Sequence, residues 1–150
     1  MERISFKEIP QEMMGKLVDL ENYINNSEIE MELLELMRLR VAQINGCAYC
    51  VDMHHKELKH LGEADLRLSS LLLWQETNYF SDRERAVLYF TEKLTRLNGK
   101  PISDRDFKVI ADHFESKEIA ILTLGIAQIN TWTRLMKTFR IAAGNYQVEQ

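Results

Sequence analysis

Apolar residues return along this chain at three- and four-residue steps, the spacing of one face of a helix. Leu17, Leu20 and Ile24 trace a first stripe; Met31, Leu34, Met37, Val41 and Ile44 trace a longer one; Ile119, Leu122, Ile126 and Ile129 trace a third. Residues that start and stop helices stand between them. Pro10 suits the first turn of a helix, where its missing N–H costs nothing, and Asn25-Asn26 closes that segment. Ser27 and Glu30 have the spacing of a capping box, which predicts a second helix from Ser27 to the break at Asn45-Gly46. A third is expected from Cys47 or Ala48 to Leu61, stopped by Gly62, and a short fourth from Glu63 to Leu73. Ser81 and Glu84 repeat the capping-box spacing ahead of a helix over Asp82 to Leu97. Ser103 with Asp106 opens a sixth, and Ser116 opens the last, which runs toward Gly144. The alternation of a half-buried strand is sustained nowhere. The pattern predicts one all-α domain over residues 1–150, of about seven helices, with a Cys-x-x-Cys pair at the start of a central helix.

One segment is echoed. Val41-Ala-Gln-Ile-Asn45 returns as Ile126-Ala-Gln-Ile-Asn130, each after an apolar stripe. At that offset Cys47 aligns with Trp132, Cys50 with Leu135 and His54 with Phe139, so only the first copy carries chemistry. Chance in helical composition and an old helix-pair duplication both account for it.

Composition narrows the function. Hydrophobic residues make up 45% of the chain, enough for a core, and the net charge is −4 with no basic stripe, which argues against nucleic acid as a partner. No apolar run approaches the ~20 residues of a membrane span. The start, Met1-Glu-Arg-Ile-Ser5, lacks the basic-then-apolar order of a signal peptide, so a cytoplasmic protein is expected. The two cysteines lie three positions apart, whereas a disulfide framework uses more cysteines at wider spacing.

The chemistry converges there. Residues three, four and seven apart share a helix face, so Cys47, Cys50 and His54 line up. A histidine in reach of a thiol can take its proton, and the thiolate is the reactive form. The helix N-terminus favours the anion further, lowering a thiol pKa from its usual value of roughly 8.5. Two thiols at this spacing can close a disulfide after one is oxidised. His54 is nearer in register to Cys50 than to Cys47, which makes Cys50 the expected nucleophile. Two blander accounts compete. The cysteines could be small core residues with His54 merely packing. A metal site could use Cys47, Cys50, His54 and His55, but adjacent helical histidines point about 100° apart, and His60 and His113 are isolated. No metal and no cofactor are expected.

The stretch Glu35-Leu-Met-Arg-Leu-Arg40-Val-Ala-Gln-Ile-Asn45-Gly-Cys47-Ala-Tyr-Cys50-Val-Asp-Met-His54 resembles the core motif of the carboxymuconolactone decarboxylase-like superfamily, in its alkylhydroperoxidase D (AhpD) branch. The resemblance continues through Trp74, Phe80-Ser-Asp-Arg-Glu-Arg85 and Leu94-Thr95 to Ile129-Asn130 and Trp132, most of the chain from about Phe6 to Arg140. It implies a proton relay: Glu35 and His54 serve the thiols, Cys50 attacks a peroxide and Cys47 resolves the product. Tyr49 departs from the pattern, since the well-known peroxidases carry a second histidine there. The implied activity is a thiol-dependent peroxidase or disulfide oxidoreductase, acting on an organic hydroperoxide or disulfide and recharged by a dithiol or redox protein. Also implied is a homo-oligomer, a trimer or hexamer, with Leu68 to Trp74 and the last helix as candidate contacts. Arg38 and Arg40 are expected in ion pairs or subunit contacts. The alternatives are a carboxymuconolactone decarboxylase-like lyase, which needs no thiol pair, and a non-catalytic dithiol sensor.

Overall fold

Helix α2 (Met31–Asn45) is enclosed on every side: each residue from Leu33 to Ala42 is buried. The computed structural model, which describes residues 1–149, arranges the other helices around it. These are α1 (Gln11–Asn25), α3 (Ala48–His60), α4 (Asp65–Ser70), α5 (Asp82–Thr95), α6 (Asp104–Ala111) and α7 (Ser116–Phe139). A single 3-10 segment, Leu71–Glu76, follows α4, and there is no strand among the described residues. Helix α2 packs chiefly on α3, α5 and α7.

The stripe read from the sequence covers one side of α2. Leu34, Met37 and Val41 meet Val87 and Phe90 of α5 and Leu122 and Ile126 of α7 in the larger core. Leu36 and Leu39 point the other way, into a second core with Leu58, Leu71, Trp74 and Leu88. The helix is therefore apolar on two faces, and its charges are buried with it. Glu35, Arg38 and Arg40 are only 5%, 2% and 7% exposed, and each is paired. Burial of an unpaired charge is prohibitive, so the pairing is obligatory. The most enclosed helix is thus α2, while the Cys-x-x-Cys pair opens its neighbour α3.

Several ends differ from the sequence reading. Helix α2 begins at Met31 rather than at Ser27. The Ser27 hydroxyl accepts the Ile29 N–H at 3.3 Å in a local turn, Ile29 enters the core, and Glu30 is extended (φ −58°, ψ 136°). Helix α4 stops at Ser70, because Leu71 and Trp74 reach the second core through a tighter turn broken at Leu73 (φ −117°, ψ 27°). Helix α5 ends at Thr95, short of Leu97. Helix α7 ends at Phe139, with Arg140 left-handed (φ 58°), so the chain turns back well before Gly144. The Ser81–Glu84 capping box has both of its hydrogen bonds, and the Ser103 hydroxyl caps α6 by accepting the Asp106 N–H at 3.1 Å.

Candidate active site

Gly46 sets the site. It is left-handed (φ 61°), and its N–H bonds the Gln43 carbonyl at 3.2 Å while the Cys47 N–H bonds the Ala42 carbonyl at 3.0 Å. This paired closure ends α2 and leaves Cys47 as the N-cap of α3. A side-chain cap must accept an N–H, and the Cys47 sulfur does so from Cys50 at 3.4 Å. The two cysteines are free, both buried, with sulfurs 2.7 Å apart. Lys137 of α7 closes over the junction by donating to the Asn45 carbonyl at 2.6 Å.

Only one side of α3 is buried, and it holds Cys50, His54 and Leu58, the face expected from the spacing. His55 is exposed on the other side. His54 directs Nδ1 at Glu35 Oε2, 2.7 Å away. The other carboxylate oxygen accepts from Arg38 Nη1 at 2.6 Å, and Arg38 Nη2 in turn donates to Asn25 Oδ1 at the end of α1, also at 2.6 Å. Burial pushes the Glu35 carboxyl up, but the His54 and Arg38 partners outweigh it and hold it below its ordinary value. An ionised Glu35 accepts hydrogen bonds only, so the Nδ1 of His54 carries a proton and Nε2 is the nitrogen left to exchange one. Nε2 has no hydrogen-bond partner among the described residues, and His54 lines a cavity.

The thiols differ sharply. The Cys47 thiol is pulled down to about 7, first by the Cys50 side chain, then against burial by the Cys50 N–H and the charges of Lys137 and His54. The Cys50 thiol is pushed up, by its bond to Cys47, by burial and by the negative charge next to it. The two environments favour a thiolate at Cys47 over one at Cys50. Access runs the opposite way. A cavity of about 490 Å³ lies over α3, with Cys50, Tyr49, Glu35 and His54 among its walls, and Cys47 is not one of them.

The cavity walls are mostly apolar and come from distant segments. Phe6 tilts against Tyr49 (ring centroids 6.0 Å apart), Trp132 of α7 donates to Glu21 at 3.1 Å, and Tyr146 of the C-terminal tail donates its hydroxyl to Glu57. The tail is tied to α3 by the Gly144 N–H on Asp52 Oδ2 (2.9 Å) and by Lys56, which donates to the Gly144 and Tyr146 carbonyls at 3.2 and 2.9 Å. Of the sequence-predicted residues, Glu35, Cys47, Cys50 and His54 come together. Arg38 and Arg40 are ion-paired, to Glu35 and Glu92. Asn25, Lys137 and Tyr146 were missed; each reaches the site from another part of the chain with no spacing signal to announce it. Among the described residues, no group of three or more His, Cys, Asp or Glu is placed to hold a metal ion.

Residues 11–93 match the model of the carboxymuconolactone decarboxylase family, which covers more than half of the chain. The chain belongs to that family. It is 35% identical to the uncharacterized protein YdfG of Bacillus subtilis (strain 168) over 144 residues, 96% of this chain and 95% of YdfG. Among solved structures it is similar to a protein of unknown function from Agrobacterium tumefaciens, for which an AhpD antioxidant-defence role has been suggested. That protein has a TM-score of 0.92 and 33% identity, over 97% of this chain and 100% of the other. The fold alone is shared with the debrominase Bmp8, at a TM-score of 0.80 and 15% identity, over 90% of this chain and 73% of Bmp8. The AhpD-like architecture follows from these likenesses, and the Cys-x-x-Cys pair opens α3 within it.

Proposed function

We propose that the protein is a dithiol oxidoreductase that reduces an organic hydroperoxide. The observation that carries this is the pair of free sulfurs 2.7 Å apart beside the His54–Glu35 couple, with Cys50 alone open to an apolar cavity. A hydroperoxide in the cavity meets Cys50. As Cys50 attacks the distal oxygen, its proton leaves to Nε2 of His54 or to the Cys47 sulfur, the O–O bond breaks, and the alkoxide takes up a proton to leave as an alcohol. Cys50 becomes a sulfenic acid. The Cys47 thiolate, half-formed near neutral pH, displaces hydroxide from it, closing the disulfide and releasing water after protonation. A dithiol or redox protein returns two electrons and two protons. Glu35 fixes the ring of His54, and Arg38 holds Glu35.

The test is repeated consumption of cumene hydroperoxide with a dithiol supplied in excess. Turnover by the wild type, a trapped sulfenic acid on Cys50 in Cys47→Ser, and none in Cys50→Ser are the expected results. A peroxide-reactive thiol that survives Cys50→Ser and is lost in Cys47→Ser reverses the roles. Activity on a lactone substrate with both cysteines replaced favours the lyase reading. A dithiol that oxidises once and is not recharged favours a sensor.

A second reading shares the site. The debrominase Bmp8 has this fold, and the aromatic walls above Cys50 suit an aryl halide. There the dithiol would supply two electrons, one thiol proton would form the new C–H bond, and halide and the second proton would leave. Bromide release from a brominated aromatic in the same assay decides between the two. We further propose a reducing, cytoplasmic setting and self-association. The second rests on family resemblance and on the exposed leucines 66, 72 and 73, and sedimentation of a clean monomer at micromolar concentration counts against it.

A further inference from the structure

The cavity over Cys50 is apolar, yet its charges are all of one sign. Four methionines line it (Met14, Met31, Met53 and Met136), and flexible thioethers adapt to ligands of varied shape. Besides Glu35, which is paired with Arg38 and His54, the walls hold Glu21, Glu57 and Glu149, contributed by α1, α3 and the tail, and among the described residues no lysine or arginine lines the cavity. Arg38 sits behind Glu35, and Lys56 is turned to Asp52 and to the tail carbonyls. His54, 3% exposed, lines the cavity, and its Nε2 has no hydrogen-bond partner among the described residues. It suits a single neutral polar atom at the end of an apolar body. A ligand carboxylate would have to shed water and then sit among three carboxylates with no counter-charge, which is unfavourable on both counts.

We propose that this cavity takes apolar ligands that are neutral or positively charged and turns away those bearing a carboxylate or phosphate, with Glu21, Glu57 and Glu149 as the specificity-determining residues. The inference deepens the oxidoreductase reading by naming the ligand class of the same site. Free fatty-acid hydroperoxides fall outside that class; their esters, and aryl or alkyl hydroperoxides without an acid group, fall inside it.

The test uses binding alone, so it stands or fails independently of peroxide turnover. Three probes with one skeleton differ only in charge: para-phenylbenzyl alcohol, para-phenylbenzylamine and para-phenylbenzoate. Reduced wild-type protein with labelled methionine methyls is titrated with each and followed by NMR. The alcohol and the amine should move the signals of Met14, Met31, Met53 and Met136 and leave Met37 in place. The benzoate should bind about tenfold more weakly or worse, as a like charge at close range dictates. Combined Glu21→Gln, Glu57→Gln and Glu149→Gln should narrow the gap between the benzoate and the other two probes, leaving the part due to desolvation, with an unshifted Met37 signal reporting an intact core. Equal affinity of benzoate and alcohol in the wild type overturns the proposal. So does a gap that the glutamine substitutions leave unchanged, or the absence of any shift with all three probes. Failure of hydroperoxide turnover with these shifts present would instead refute the redox reading and leave the ligand class standing.

Discussion

Cys47 caps α3 while Cys50 lies within its first turn, and that offset gives two neighbouring thiols opposite environments. Cys47 receives an N–H and faces Lys137; Cys50 receives a negative neighbour and the open side of the cavity. The thiolate absorbance of the reduced protein should therefore rise by one thiolate with a midpoint of about 7, and the rise should vanish in Cys47→Ser. A first thiolate forming only near the ordinary thiol value of roughly 8.5 would refute this division of charge. Removing Nε2 as a proton acceptor in His54→Gln should cut turnover about 10²–10⁴-fold, with the gap narrowing as pH rises and the thiols ionise unaided. Exposed His55, replaced by Ala, should leave turnover unchanged. Glu35→Gln has a second consequence. It leaves Arg38, 2% exposed, without its counter-charge, at a cost of roughly 3–5 kcal/mol in denaturant unfolding. Adding Arg38→Met should restore most of that stability without restoring activity, which separates the fold role of Glu35 from its role at His54. The shared face of Cys50 and His54 was legible from spacing alone. Glu35 was not, because Glu28, Glu30 and Glu32 look the same in sequence, and only burial between α1 and α3 singles it out.

Between elements, one glycine separates the helix that carries the Cys-x-x-Cys pair from the helix that carries its echo. The echoed segments of α2 and α7 meet in space: Asn45 Nδ2 donates to Asn130 Oδ1 at 2.9 Å and to Thr133 Oγ1 at 2.9 Å. After Asn45 comes Gly46, which turns left-handed, ends α2 and frees Cys47 to cap a new helix. After Asn130 comes Thr131, which stays right-handed, so α7 runs on to Phe139 and its counterparts of Cys47 and Cys50, Trp132 and Leu135, pack as side chains. Gly46→Ala puts a Cβ on a left-handed residue, at a cost of about 1–2 kcal/mol. Its nearest foreign neighbour would be Lys137 Nζ at 3.8 Å, so the cost is conformational rather than steric. The variant should unfold at lower denaturant and show a raised Cys47 midpoint, because the cap geometry is what presents the Cys50 N–H. A lowered stability with the midpoint unmoved would mean that the cap survives the strain. The sequence pattern located this break and most helix starts, since Gly, Ser and Asp act locally. It misplaced the start of α2 and the ends of α4 and α7, where Ile29, Trp74 and Ile141 are drawn into packing that no local signal records.

Across the whole molecule, the cavity is completed by segments far apart in sequence. Phe6 supplies one wall and the segment after Arg140 another. That segment has little core of its own. Beyond Ile141 its hold on α3 is Asp52 on the Gly144 N–H, Lys56 on two carbonyls, and the Tyr146 hydroxyl on Glu57. Hydrogen bonds at a partly solvated surface are worth about 0.5–1.5 kcal/mol each, so the strap is held by a few kcal/mol and opens far more readily than the helices unfold. Its backbone amides should exchange hydrogen much faster than those of α2. Asp52→Ala combined with Tyr146→Phe removes two of the ties while keeping the Tyr146 ring, and should raise the open fraction roughly tenfold or more. Opening exposes the cavity to water and takes Tyr146 and Glu149 from its wall. Because the closed form still dominates, affinity for para-phenylbenzyl alcohol should fall by only about a tenth, but saturating ligand should slow the exchange of the strap, and the Cys47 midpoint, set by Cys50, the α3 N-terminus and Lys137, should stay where it is. Exchange that accelerates in the variant and is not slowed by the ligand would show that the strap covers the cavity without shaping it. A midpoint that moves with the strap would show instead that the tail belongs to the electrostatics of the thiol pair.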